Sequence, residues 1–168
     1  AWVSTHVFVR ELVADRIVKI DDTADEGDGL NQIKYTAGTW NLAQGEANDP
    51  RYNHNDHYNL GTTKVDYLEV RFTGVKIDVF ATVASHHGTG MASIDGGPES
   101  KVVYKATQRA EQVFVWSSPI LPNREHVLKI RTVGDGVVTA DRFDVSVSDK
   151  PEVTTATLKE LTATFTNL

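Results

Sequence analysis

The chain has 168 residues, a formal net charge of −6, 40% hydrophobic and 24% charged residues, and no cysteine. That length suits one principal domain with its own core. The acidic balance and thinly spread Lys and Arg argue against a nucleic-acid partner, the missing cysteines rule out disulfides and thiolate metal sites, and no apolar run reaches the length of a membrane span, so no membrane insertion is expected.

The chain begins at Ala1 without Met or a signal-like segment and stops at Leu168 within a strand-like pattern, so it reads as a piece of a larger protein. Residues 5–10 and 16–20 alternate apolar and polar side chains, which predicts two short strands with a polar break at Ala14-Asp15. Residues 21–29, DDTADEGDG, form an acidic, glycine-punctuated loop, either solvated or calcium-loaded, and 32–35 restart a strand that runs on to Trp40. From 41 to 63 periodicity almost vanishes and Asn, Asp, Gly, His and Tyr dominate. A loop of that length in a compact domain is functional or disordered, and its aromatic and amide content argues for function.

The most regular stretch is 66–97. Leu68, Val70 and Phe72 alternate with Tyr67, Glu69 and Arg71, and after Thr73-Gly74 the pattern resumes at Ile77, Val79, Ala81 and Val83, which predicts a hairpin with one buried face. A loop with His86 and His87 follows, then Met91 to Ile94 and the turn Asp95-Gly96-Gly97, so three strands are expected in a row, with Leu68, Val70, Phe72, Ile77, Val79 and Ile94 in the core. Residues 101–106 and 112–116 read as strands, 121–124 as a turn, and 127–133 with 137–147 as a further hairpin pair. Recurrent short strands with no convincing helix predict an all-β antiparallel sandwich. The expected division is a sandwich over residues 1–148, then a linker and strand-like tail over 149–168 that is either a last strand or, by preference, the entry to a following domain.

With strands laid up and down, the loops at 41–65, 85–90, 107–111 and 134–136 share one end, and 73–74, 95–99 and 118–124 share the other. The first set is long and rich in His, Asn, Asp, Arg and Trp, so function is expected there.

The order IKYTAGTW, a long polar loop, DYLEVRFTGVKIDVF, HHGTGMASIDGG, QVFVWSSPILPNREHVLKI and VVTADRFDV covers about residues 19–147. It resembles the galactose-binding-like β-sandwich modules carried as carbohydrate-binding modules by large bacterial glycoside hydrolases. The resemblance implies a jelly-roll sandwich with a lectin-like, non-catalytic role. Its partners would be a glycan, galactose-containing or another host or plant polysaccharide, and a covalently linked catalytic domain; it would be a monomer, secreted or on the bacterial cell surface. A structural calcium often accompanies that fold.

Candidate side chains cluster in the functional loops. Trp40, Tyr52 and Tyr58 offer flat apolar faces that could cover a pyranose, although Trp40 could equally close the core at a strand end; Trp116 reads more readily as core. Asn53, His54, Asn55, Asp56 and His57 pack donors and acceptors into five residues, His86 and His87 approach from a neighbouring loop, and Arg109 could pair with a carboxylate-bearing sugar or remain solvated. The predicted carbohydrate set is Trp40, Asn53, Asn55, Asp56, His57, His86, His87 and Arg109. Asp21, Asp22, Asp141 and Asp144 lie on segments expected to pair and are the predicted calcium ligands.

Two alternatives stay open: a metal-dependent hydrolase using His54, His57, His86 and His87 with Asp56, and a structural or adhesive spacer with no small-molecule site. The first is weakened because H-x-x-H in an irregular loop lacks the helical spacing of zinc hydrolases. No Ser/His/Asp or Gly-x-Ser-x-Gly pattern and no carboxylate pair across a deep cleft is visible, so catalysis is not expected.

Overall fold

The computed structural model describes residues 14–24, 27 and 29–149; the expected strand at 5–10 and the tail from residue 150 lie outside them. Twelve strands form three antiparallel sheets. One sheet is ordered β1 (Arg16–Asp21), β12 (Arg142–Val147), β6 (Lys76–Val83), β9 (Ala110–Ser117). The second is β2 (Ile33–Tyr35), β5 (Tyr67–Gly74), β10 (Arg124–Thr132), β7 (Thr89–Ile94), β8 (Ser100–Val103), and the third is β11 (Val138–Ala140), β4 (Asn55–Asn59), β3 (Trp40–Gln44). The helical content of the described residues is one 3₁₀ turn, Tyr52–His54, and no helix among them is long and apolar enough to cross a membrane.

The period-two pattern does what it predicts for burial. Leu68, Val70 and Phe72 on β5, Ile77 and Val79 on β6, Leu128 and Ile130 on β10, and Phe143 and Val145 on β12 all belong to one buried core, each side chain contributing about 1.5–3 kcal/mol through the water it sheds. Ile94 packs against that core while half-buried.

Two expected pairings are corrected. β5 and β6 do not form a hairpin: β5 bonds to β2 and β10, whereas β6 bonds to β12 and β9, so Thr73 to Val75 carries the chain from one sheet to the other. The three consecutive strands therefore do not lie in a row. β10 and the segment 137–147 likewise separate, because Asp141 breaks the latter into β11 and β12 in different sheets. Alternation specifies which face of a strand is buried; it is silent on which strand supplies the hydrogen bonds.

The segment expected to be one long loop, 41–63, instead holds the β3–β4 hairpin, paired from Trp40↔Asn59 to Gln44↔Asn55. β4 escaped notice because its buried residues, Asn55, Asp56, His57 and Asn59, are polar. Behind it, three loops meet through glycines. A Cβ on Gly61 (φ +63°) would collide with the Gly136 carbonyl oxygen, and one on Gly136 (φ +143°) would stand 2.9 Å from both Gly88 N and the His86 carbonyl oxygen. Only backbone without side chains allows that approach, and it seats the His86-His87 loop beside β11, where the Gly88 N–H donates to the Val137 carbonyl at 2.9 Å.

Candidate functional site

The outer face of the β3–β4–β11 sheet, continued by the end of β6 and the His86-His87 loop, encloses a pocket of about 300 Å³. Strand alternation selects its lining. Asp56 and Tyr58 on β4, followed by Leu60, face the pocket, while Asn55, His57 and Asn59 point to the opposite side, where His57 meets Asp22 and Asn59 meets Asp66. Tyr58 is half-buried and Leu60 is held 59% exposed, so the rim presents an aromatic ring and an apolar side chain to solvent.

The floor is polar and tightly bonded. Arg51, 8% exposed, reaches Asp49 through Nε and Nη2 at 2.8 and 2.7 Å, and donates from Nη1 to the Ala43 carbonyl at 2.9 Å and to Asp56 Oδ1 at 2.5 Å. The Arg51 guanidinium holds the Asp49 carboxyl well below the usual carboxylate range. Asp56 Oδ2 accepts from the Thr82 hydroxyl at 2.7 Å, and the Thr82 carbonyl accepts from the Thr139 hydroxyl at 2.7 Å and from the His87 ring at 3.1 Å. His86 stands edge-on to His87 with ring centres 4.7 Å apart. Burial, with the nearby charges of His86 and Arg109, lowers the His87 pKa from its ordinary value. Arg109 lines the mouth and donates to Glu111 at 2.6 Å.

Of the predicted carbohydrate set, Asp56, His86, His87 and Arg109 come together here, and Trp40, Asn53, Asn55 and His57 do not. Trp40 packs against the core and leans on Tyr35, centroids 5.0 Å apart, and Tyr35 stacks on His57 at 4.5 Å. The four histidines of the hydrolase alternative do not converge: His54 bonds the Asp49 carbonyl and His57 lies on the far face of β4. Arg51, Leu60, Thr82, Val137 and Thr139 were not anticipated. Thr82 alone left a trace in the sequence, as a polar residue continuing the outward register of Asp78 and Phe80 on β6.

The acidic residues gather on the far side of β4. β1 pairs with β12 as expected, which places Asp22 beside Asp141, both with no solvent exposure. Four buried side-chain oxygens there, Asp21 Oδ1, Asp22 Oδ1, Asn55 Oδ1 and Asp141 Oδ2, have no hydrogen-bond partner. Around them, Asn53 donates to Asp21 at 2.9 Å, the Tyr52 N–H donates to Asp141 Oδ1 at 2.9 Å, and His57 Nδ1 lies 2.7 Å from Asp22 Oδ2. Burial pushes Asp22 up to about 6, opposed by His57 and aided by Asp21. Burial likewise pushes Asp141 up to about 7, with the Asp22 and Asp56 charges adding to it. Asp144 departs from the expected set: its carboxylate is bonded to Arg142 Nε at 2.7 Å.

Unpaired hard oxygens sealed from water fit calcium, which takes six to eight of them, and the amide oxygen of Asn55 adds a donor that sequence reasoning assigned to sugar. No group of three or more His, Asp or Glu side chains among the described residues is arranged to hold a metal ion, so a calcium there stands on the orphaned oxygens, with burial raising the pKa of Asp22 and Asp141.

No family model and no curated protein matches the chain. Among solved structures it is similar to the GH26-CBM35 β-(1,4)-mannanase of Podospora anserina, with a TM-score of 0.55 and 11% identity over 82% of this chain and 29% of that one. It is also similar to a family two carbohydrate esterase from Cellvibrio japonicus (TM-score 0.48, 14% identity, 83% of this chain and 36% of that one). A GH115 4-O-methyl-α-glucuronidase with specificity for decorated arabinogalactans follows at TM-score 0.47 and 14% identity, over 87% of this chain and 19% of that one. The chain therefore spans well under half the length of each of these chains, and at 11% identity its likeness to the mannanase is one of fold, an antiparallel β-sandwich.

Proposed function

We propose that the chain is a non-catalytic carbohydrate-binding module that holds a linked glycoside hydrolase against its glycan. One observation carries the reading: the pocket sets the Tyr58 ring and Leu60 beside a dense polar floor, and an apolar face with convergent hydrogen-bonding groups is what a pyranose requires. The fold likeness supports it, since the mannanase chain joins a GH26 unit to a CBM35 unit in its name and the matched portion is 29% of that chain. Tethering gives such a site its use, because even weak affinity raises the local substrate concentration for a linked catalytic domain. The proposal includes a secreted or cell-surface location, a monomeric module, and a calcium ion held by Asp21, Asp22, Asn55 and Asp141, which would supply structural rigidity beneath β4.

A glycan array followed by titration calorimetry tests the proposal. Binding of an oligosaccharide that is weakened by Tyr58→Ala supports it, and an array without a hit, together with ester or glycoside hydrolysis in the presence of zinc, would sink it.

A further inference from the structure

The threonine hydroxyl protons on the pocket floor and four of the five Arg51 guanidinium protons are committed to the protein. The Thr82 hydroxyl donates to Asp56 Oδ2 and the Thr139 hydroxyl to the Thr82 carbonyl. Since that carbonyl only accepts, the His87 nitrogen 3.1 Å away, Nδ1, carries the ring proton. The other nitrogen, Nε2, makes no hydrogen bond among the described residues and is left with a bare lone pair in a ring that lines the pocket. Asp56 is occupied on both oxygens, and the Arg51 guanidinium is committed to Asp49, Asp56 and the Ala43 carbonyl. What remains for a ligand at the floor, beside one Arg51 Nη2 proton, is acceptor capacity: Thr82 Oγ1, Thr139 Oγ1, His87 Nε2 and the spare lone pairs of Asp56.

We infer that the pocket reads hydroxyl protons: it takes a sugar whose hydroxyls are free and rejects the same sugar when they are methylated or acetylated, with His87 Nε2 as the specificity-determining acceptor. The inference rests on the carbohydrate reading above. An ether or ester oxygen brings no proton to these acceptors, so the ligand would strip them of water and leave them unpaired, and such loss discriminates far more sharply than loss of an apolar contact. The buried ring stays neutral at neutral pH because its pKa is lowered, which keeps the lone pair available. His86 on the same loop, Asp56 on β4 and Arg109 before β9 are the charged or titratable groups that face it.

Titration calorimetry at neutral pH would use mannose, galactose and glucose tetrasaccharides, each beside its fully O-methylated form, with wild type, His87→Gln and His87→Leu, and thermal melts of all three proteins. We expect one free tetrasaccharide to bind and its methylated form to bind at least about tenfold more weakly. His87→Gln keeps an acceptor oxygen and retains affinity within about threefold, whereas His87→Leu loses about tenfold. Equal binding of free and methylated sugar overturns the inference and leaves the carbohydrate reading standing; binding of neither removes both. Should the His87 variants fail to fold, the wild-type comparison decides alone.

Discussion

The backbone N–H of Asp22 donates to the carbonyl of Asp141 at 3.1 Å, and this single bond ties the end of β1 to the break between β11 and β12. It brings two carboxyls without solvent exposure into one compartment, with orphaned oxygens on Asp21, Asp22, Asn55 and Asp141. Buried carboxylates in mutual repulsion cost far more than exposed ones unless a proton or a cation joins them. Calcium is therefore expected to raise the melting temperature and a chelator to lower it. Asp141→Asn should weaken the calcium response while leaving the metal-free protein as stable as wild type or more so. An unchanged melting temperature across calcium and chelator would remove the ion from the proposal.

Without metal, the same pair gives an unusual pH profile. The folded-state values of about 6 for Asp22 and about 7 for Asp141 stand above the ordinary carboxylate value because of burial. Between that ordinary value and about 7 these two carboxyls hold more protons in the folded protein than in the unfolded chain, so their contribution to stability falls as pH rises through this window, opposed near neutral pH by His87 with its lowered pKa. Chemical denaturation in chelator at several pH values between 4 and 8 checks the sign. Calcium should flatten the fall, and its binding should release protons, more of them at the acidic end.

How much of this was legible follows the chemistry of what is buried. Leu68, Val70, Phe72, Ile77 and Val79 announce themselves by alternation because an apolar side chain has one use in a half-buried strand. β4 is equally buried yet invisible, since its buried residues are polar and Asp56 and His57 find partners as far off in sequence as Thr82 and Asp22, and no local pattern records a hydrogen bond across 26 or 35 residues. Sorting loops by end brought Asp56, His86, His87 and Arg109 to one place. The same reasoning placed His57 with Asp56, because a stretch taken for a loop has no alternation, whereas a strand sends adjacent residues to opposite faces.

That separation predicts different failures for two aromatic variants. Trp40 packs against the core and on Tyr35, so Trp40→Ala should lower stability by about 3–5 kcal/mol, as aromatic truncations in cores do. Tyr58 lines the pocket, so Tyr58→Ala should cost about 1–3 kcal/mol of sugar affinity with a small change in melting temperature. Melts and calorimetry on both proteins check the assignment, and a reversal of the two effects would move the sugar to the Trp40 side.

The glycine meeting behind the pocket is testable without a ligand. A methyl group at Gly136 would press on Gly88 N and the His86 carbonyl, both backbone atoms at 2.9 Å, on a residue whose φ of +143° no alanine adopts cheaply. Gly136→Ala should lower the melting temperature and displace the His86-His87 loop, read as shifted His86 and His87 resonances in a proton–nitrogen spectrum of the ring nitrogens. Gly96→Ala, with φ +69° and nothing within 4 Å of the added carbon, meets backbone strain alone and should leave those resonances unmoved.

Arg51 is the one cation hydrogen-bonded to Asp56 among the described residues, and Asp56 is 3% exposed, so Arg51→Ala leaves a carboxylate buried beside Thr82 with no countercharge. Removing one member of a buried ion pair costs about 3–5 kcal/mol, most of it the penalty on the partner left behind. Replacing both at once, Arg51→Met with Asp56→Leu, removes that penalty at the expense of the Thr82 hydroxyl, which loses its acceptor. The double variant should therefore be more stable than Arg51→Ala, although it loses the polar floor and with it the sugar. Urea denaturation of wild type, single and double variants measures the difference. A double variant no more stable than Arg51→Ala would show that Arg51 acts through Asp49 and the Ala43 carbonyl, bracing the segment before the 3₁₀ turn, and not through Asp56.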